Sequence, residues 1–153
     1  MGQLVLFTLD DRRYGLPLSA VERVVRMVDV TLLPKAPQIV LGVVNVQGRV
    51  IPVVDLRRRF GLPERNFALT DQLVIARTVR RPVALVADAV SGVLEYSGRE
   101  ASGAQDIVPG IEYVESVVKL PDGLALIHDL DRFLSLEEEA ALGRAIEDAS
   151  HER

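Results

Sequence analysis

The chain has 153 residues and no cysteine, which excludes disulfides, thiol catalysis and cysteine-ligated metals and fits a reducing compartment. Its net charge of −4 resides wholly in the segment from Leu136 to Arg153, where six carboxylates meet two arginines. The remaining body is neutral and gives no electrostatic case for binding nucleic acid.

The opening stretch "MGQLVLFTLDDRR" lacks the basic start and long apolar run of a signal peptide. No apolar run approaches the roughly 20 residues of a membrane helix. A cytoplasmic protein without direct membrane insertion is expected. Three strand-length runs come first: "QLVLFTLD", "RRYGLPL" and "VERVVRM". "GVVNV" and "RVIPVVDL" follow, with a turn at Gln47-Gly48 between them. All are rich in Val, Ile and Leu and bounded by Gly, Pro or Asp, which is the signature of short buried strands. Asp55 then precedes "LRRRFG", a short helical piece whose first amide groups an Asp can cap.

The second half repeats this order. "DQLVIART", "RPVALVAD" and "GVLEYS" are strand-length, and "ESVVKL" and "GLALIHDL" flank the turn Pro121-Asp122-Gly123. Asp129 precedes "LDRFLS", as Asp55 precedes "LRRRFG". Leu4, Val5 and Leu6 match Leu73, Val74 and Ile75 at an offset of 69, as do Leu16 and Leu85, Ala20 and Ala89, Val24 and Val93. Val44 and Val118, like Asp55 and Asp129, match at an offset of 74. The chain therefore reads as two similar five-stranded units joined in tandem, about 3–62 and 70–134, within one domain over 1–135 whose lobes are interleaved around these two halves. Five short strands with tight turns suit a small closed barrel, which removes exposed edges. Two lobes of this size should share apolar surface, because half of such a chain buries too little alone. The tail 136–153 reads as an acidic terminal helix. Ser135 and Glu138 have capping-box spacing, and Leu136, Ala140, Leu142 and Ile146 give a thin apolar stripe, docked weakly or serving a partner.

Chemistry is sparse. His128 sits in an apolar strand and His151 three residues from the end, so neither reads as a catalytic base or a metal ligand. There is no phosphate-cradling glycine loop, and no cofactor is expected. Arg12-Arg13, Arg57-Arg58-Arg59 and Arg80-Arg81 read as turn-flanking and helix-surface charges, with one face offered to an acidic partner as the functional alternative. Phe and Tyr total seven, too few for a base-stacking surface, so a nucleic-acid-binding barrel is the runner-up.

Taken together, "YGLPLSAVERVVR", "LPKAPQIVLGVVNVQGRVIPVVDLRRRFGLP" and "DAVSGVLE" resemble the CheW-like domain of chemotaxis systems, over about Gln3 to Leu134. The family pattern joins an aromatic-Gly/Ala-Leu/Ile-Pro start, a Val-x-x-Val strand, a Pro-x-x-hydrophobic-x-Gly turn, Asn-x-x-Gly and Pro-x-x-Asp-Leu. The resemblance implies a mainly β fold of two SH3-like five-stranded barrel lobes around an apolar seam. It also implies a non-enzymatic adaptor joining chemoreceptor cytoplasmic tips to a CheA-type histidine kinase. Carried onto this chain, its coupling region falls on Glu22, Val24 and Arg26 in the third strand and on Asn45, Gln47, Gly48 and Arg49 at the turn. Gln47 stands where the family has an arginine that usually faces the strand's glutamate. Gln cannot form that ion pair, although it can still hydrogen-bond. Two readings follow: a divergent coupling protein for a dedicated array or pilus-type pathway, or Arg49 in the arginine's place.

Overall fold

The computed structural model describes residues 2–96, 101–103, 114–120, 123–128 and 133–151, with side chains from Gly2 to Glu95 and from Phe133 to Ala149. Strands β1 (Gly2–Leu9) and β2 (Arg12–Pro17) form a hairpin, and a 3₁₀ turn over Leu18–Ala20 leads into β3 (Val21–Arg26). A second hairpin joins β4 (Val40–Val46) to β5 (Arg49–Val54). The short helix α1 (Leu56–Phe60) starts on Asp55, whose carboxylate accepts from the amides of Arg57 and Arg58, and stops at Gly61 in the left-handed region. Then come β6 (Gln72–Arg77), β7 (Pro82–Ala87), β8 (Ala89–Tyr96), β9 (Ala101–Gly103), β10 (Val114–Leu120), β11 (Gly123–His128) and the terminal helix α2 (Leu136–His151). The expected turn at Pro121-Asp122 and the expected cap at Asp129 lie outside the described residues.

Two sheets result, one ordered β8-β1-β2-β11-β10-β9 and the other β3-β6-β7-β5-β4. The repeat is written into their registers. Leu4 faces Pro17 in one sheet and Leu73 faces Val86 in the other, each partner 69 residues on. Val5 faces Val93 as Val74 faces Val24, with a bulge at the matching place in each pairing. Val46 faces Arg49 as Leu120 faces Gly123, an offset of 74. The two halves, however, do not each build their own sheet. The first hairpin of each half joins the third strand and second hairpin of the other half. Repeat symmetry permits either arrangement, because the paired edges are alike in both halves. The exchange sends the chain across twice, after Pro17 and between Ala87 and Ala89.

One apolar cluster serves both sheets. Phe7, Leu9, Tyr14 and Leu16 come from β1 and β2, and Val54, Val74, Ala76, Val83, Leu85 and Ala87 from the other sheet. Leu56, Phe133 and Leu142 complete it. Four aromatic rings run through this seam. Phe7 stacks on Tyr14 at 5.8 Å, Tyr14 on Phe60 at 5.2 Å, and Phe60 meets Phe133 edge-on at 5.8 Å. Such spacings add roughly 0.5–1.5 kcal/mol per pair beyond burial. Burial also holds the Tyr14 hydroxyl above its usual pKa. The opposite face of the β3–β7 sheet packs a smaller cluster of Val44, Val46, Ile51, Val53, Leu73, Ile75 and Ala84. Strands apolar on both faces are thus accounted for: each face meets a different core. Gly42, at φ 154, is fixed by close approach, since a Cβ there would stand 2.2 Å from the Thr31 carbonyl oxygen.

Within the arginine triplet Arg57 is buried and Arg59 half-buried, while Arg58 stays on the helix surface. Arg57 is buried; its guanidinium makes two 2.9 Å bonds to Asp88, one to Asp10 at 2.9 Å and one to the Pro63 carbonyl at 3.0 Å. Arg65 binds buried Asp71 and also reaches Asp88. Arg58 pairs with Asp55 and Glu64. Arg59 grips Glu138 with both carboxylate oxygens, and Arg81 holds Glu139 at 2.6 Å. These last pairs dock α2 on the seam. The capping box forms as the spacing implied: the Ser135 amide donates to Glu138 and the Glu138 amide to the Ser135 hydroxyl.

The helix face differs from the expected stripe. Leu142 and Ala145 are buried and Ile146 packs against the seam, but Leu136 is 77% exposed and Ala140 is also exposed. The docked face is set by Glu138 and Glu139, which must reach arginines, so it runs through 138, 139, 142, 145 and 146. The helix is therefore held by core burial as well as by charge. Leu142→Ala should cost about 2–5 kcal/mol in urea unfolding, whereas Leu136→Ala should stay within about 0.5 kcal/mol.

The network also fixes an acid limit. Burial pushes the Asp88 carboxyl up, but hydrogen bonds from Arg57, from the Asp10 amide and from Arg65 outweigh it and hold its pKa below the usual value. Glu138 is lowered in the same way by the Ser135 amide and Arg59, against burial. A depressed folded pKa contributes stability that is present above the unfolded value of about 4 and is lost as pH falls through the folded one. The urea midpoint should therefore drop steeply below about pH 4. Asp88→Asn should lower it at neutral pH and flatten the acid drop.

A polar latch at the hairpin tip

β3 and β4 are the two edges of their sheet, yet side chains from β3 reach the β4–β5 turn. The sheet must curl for its edges to meet. The turn between Val46 and Arg49 has two central residues, Gln47 at φ 51 and Gly48 at φ 83, both in the left-handed region. Two such residues match the twist of a tight hairpin, where Asn-Gly is the favoured pair. Asn45 steadies the loop, its side-chain oxygen accepting from the Gly48 amide at 2.9 Å. A Cβ on Gly48 would meet nothing within 4 Å, so only its φ requires glycine.

Glu22 faces this tip. Arg49 donates to its carboxylate at 2.8 Å, and Arg77 of β6 stands 4.0 Å away. The Arg49 hydrogen bond, with the charges of Arg49, Arg77 and Arg23, holds the Glu22 carboxyl below its usual pKa. Gln47 does not face Glu22. Its side-chain oxygen accepts from Arg23, so a cation of the strand meets the turn where the family pattern would set a glutamate against an arginine. The bulge between Val21 and Arg23 is the local cause. It breaks the strict alternation of the strand and leaves Glu22 and Arg23 both exposed toward the tip.

Five of the residues expected at this site therefore come together: Glu22, Asn45, Gln47, Gly48 and Arg49. Val24 does not join them, for it is partly buried and packs against the seam, opposite Val74. Arg26 is exposed at the far end of β3, opposite Gln72 and about 13 Å from Glu22 at strand spacing. Sequence reasoning missed Arg23 and Arg77. No residue type announces a bulge, so alternation alone sends Arg23 to the other face. Arg77 stands on β6, whose place beside β3 depends on the exchange of hairpins between the halves and not on any local pattern.

The latch is exposed, so its ion pair should add little to folding. Glu22→Gln should shift Tm by less than about 2 °C. Gly48→Ala should cost about 1 kcal/mol, through its backbone and not through crowding. Thermal and urea unfolding of the two variants check both.

The profile of the CheW-like domain matches residues 3–138. Chemotaxis protein CheW of Rhizobium meliloti (strain 1021) is 31% identical over 142 residues, covering 91% of this chain and 92% of that protein. Chemotaxis protein CheW of Treponema pallidum (strain Nichols) is 28% identical, over 89% and 84% of the two chains. Among solved structures, the scaffolding protein TtCheW of Thermoanaerobacter tengcongensis superposes with a TM-score of 0.81 at 27% identity, over 90% of this chain and 94% of that one. With this likeness of fold and a family profile that spans almost all of its length, the chain belongs to the CheW-like domain family.

Proposed function

We propose that this chain is a non-enzymatic adaptor of chemotaxis-type signalling, linking chemoreceptor cytoplasmic tips to a CheA-type histidine kinase. The reading is carried by the near full-length likeness to proteins called chemotaxis protein CheW, together with a TM-score of 0.81 to a scaffolding protein of that kind. Two related sheets on one seam suit such a role, because similar faces can meet different partners. The hairpin tip with β3 is the face assigned here to coupling. Its groups are hydrogen-bond donors, a carboxylate and short apolar side chains, which suit protein contact. Arg57, Arg59, Arg65 and Arg81, which would otherwise favour nucleic acid, are engaged with carboxylates of the fold, and Arg58 pairs with Asp55 at the surface. The adaptor role belongs in the cytoplasm, where receptor tips and kinase meet, and no described helix is long and apolar enough to cross a membrane.

Titration of the purified chain against the CheA-type kinases and receptor tips of its own genome tests the reading. At least one kinase and one receptor tip should bind. Folded protein that binds none of them would refute the adaptor role.

A further inference from the structure

The hairpin tip has an unbalanced charge. Glu22 is the one carboxylate among the described residues that pairs with Arg49 and Arg77, and it also feels the charge of Arg23. Three guanidiniums thus share a single acid, while Arg23 spends its hydrogen bond on neutral Gln47. Half of the Arg49 side chain and 61% of that of Arg77 remain open to solvent. Val50 follows Arg49 directly and is 64% exposed opposite exposed Asn45, on the other face of the hairpin from Arg49. Outside the acidic tail the chain is neutral, so the tip is a local positive excess on a neutral body.

We propose that Arg23, Arg49 and Arg77 make the hairpin tip a docking surface for an acidic segment of a protein partner, with Arg23 as the specificity-determining residue. The inference rests on the adaptor reading and deepens it. Complementary carboxylates on the partner would take the two surplus positive charges. Because Gln47 is neutral, it leaves Arg23 unneutralised and free to choose an acid over a base. Glu22 then acts against the partner: it dilutes the positive field that recognises it.

The test is calorimetric titration of the full chain against the kinase and receptor tip identified above. Wild-type affinity should fall steeply as salt rises from about 50 to about 300 mM. Arg23→Glu should weaken binding roughly tenfold or more at unchanged Tm, since like charges now meet. Glu22→Gln should tighten binding, the opposite of what a partner contact through Glu22 itself would give. Salt-insensitive binding, or binding that survives Arg23→Glu, overturns the inference and leaves the adaptor role standing. If wild-type protein binds neither kinase nor receptor tip, both fall together. Two further arms name other occupants. Binding of a single-stranded oligonucleotide, or self-association in sedimentation, lost in Arg23→Glu would assign the tip to nucleic acid or to a second copy and overturn the acidic-partner assignment.

Discussion

The seam between the sheets is the constraint on which the rest of the structure depends. Phe7, Tyr14, Phe60 and Phe133 form a continuous run of rings from the β1–β2 hairpin, through α1, to the segment that starts α2. Removing one large ring from such a core costs about 3–5 kcal/mol, a large share of the total stability of a domain this size. The polar groups around the seam follow from it. α1 is anchored by Leu56 and Phe60, which places Arg57 where it must be buried, and a buried guanidinium needs paired carboxylates. Asp10, from the first hairpin, and Asp88, from the point where the chain crosses back, supply them. The Arg57–Asp88 pair thus marks the second crossing of the chain as well as the edge of the core.

Exchange of hairpins between the halves gives the seam its consequence. A unit made of one half alone would lack two strands of its sheet and would expose the face that the seam covers. Each half needs the other for hydrogen bonds as well as for apolar burial. The hairpin tip is positioned through the same dependence. β3 is held by β6, which belongs to the other half, and so the relation of Glu22 and Arg23 to the β4–β5 turn is set by both halves.

Much of this is legible in the sequence. The offsets of 69 and 74 reappear in the register of the matched strand pairs, because alternating Val and Leu positions must keep their face when a unit is copied. The Asp55 cap and the Ser135–Glu138 box are legible because they depend on three or four neighbouring residues. What is not legible is long-range. Hairpin exchange leaves no local mark. Arg59 and Glu138 lie 79 residues apart, and Arg57 and Asp88 lie 31 apart, so in sequence the triplet reads as a surface charge run. The α2 stripe is misphased for the same reason, since Leu136 looks apolar in isolation while Glu139 is the residue the fold buries. At the site, a bulge that no residue type signals puts Arg23 opposite Gln47.

The two sheets share one seam and so form one cooperative structure. Native-state hydrogen exchange in increasing denaturant measures this directly, because it reports the opening free energy of each segment. The amides of Leu4–Phe7 in one sheet and Leu73–Ala76 in the other should converge on the same opening free energy and the same denaturant dependence. Opening of one set at a free energy several kcal/mol lower, with its own denaturant slope, would show that the sheets unfold separately and would contradict the shared seam as the organising constraint.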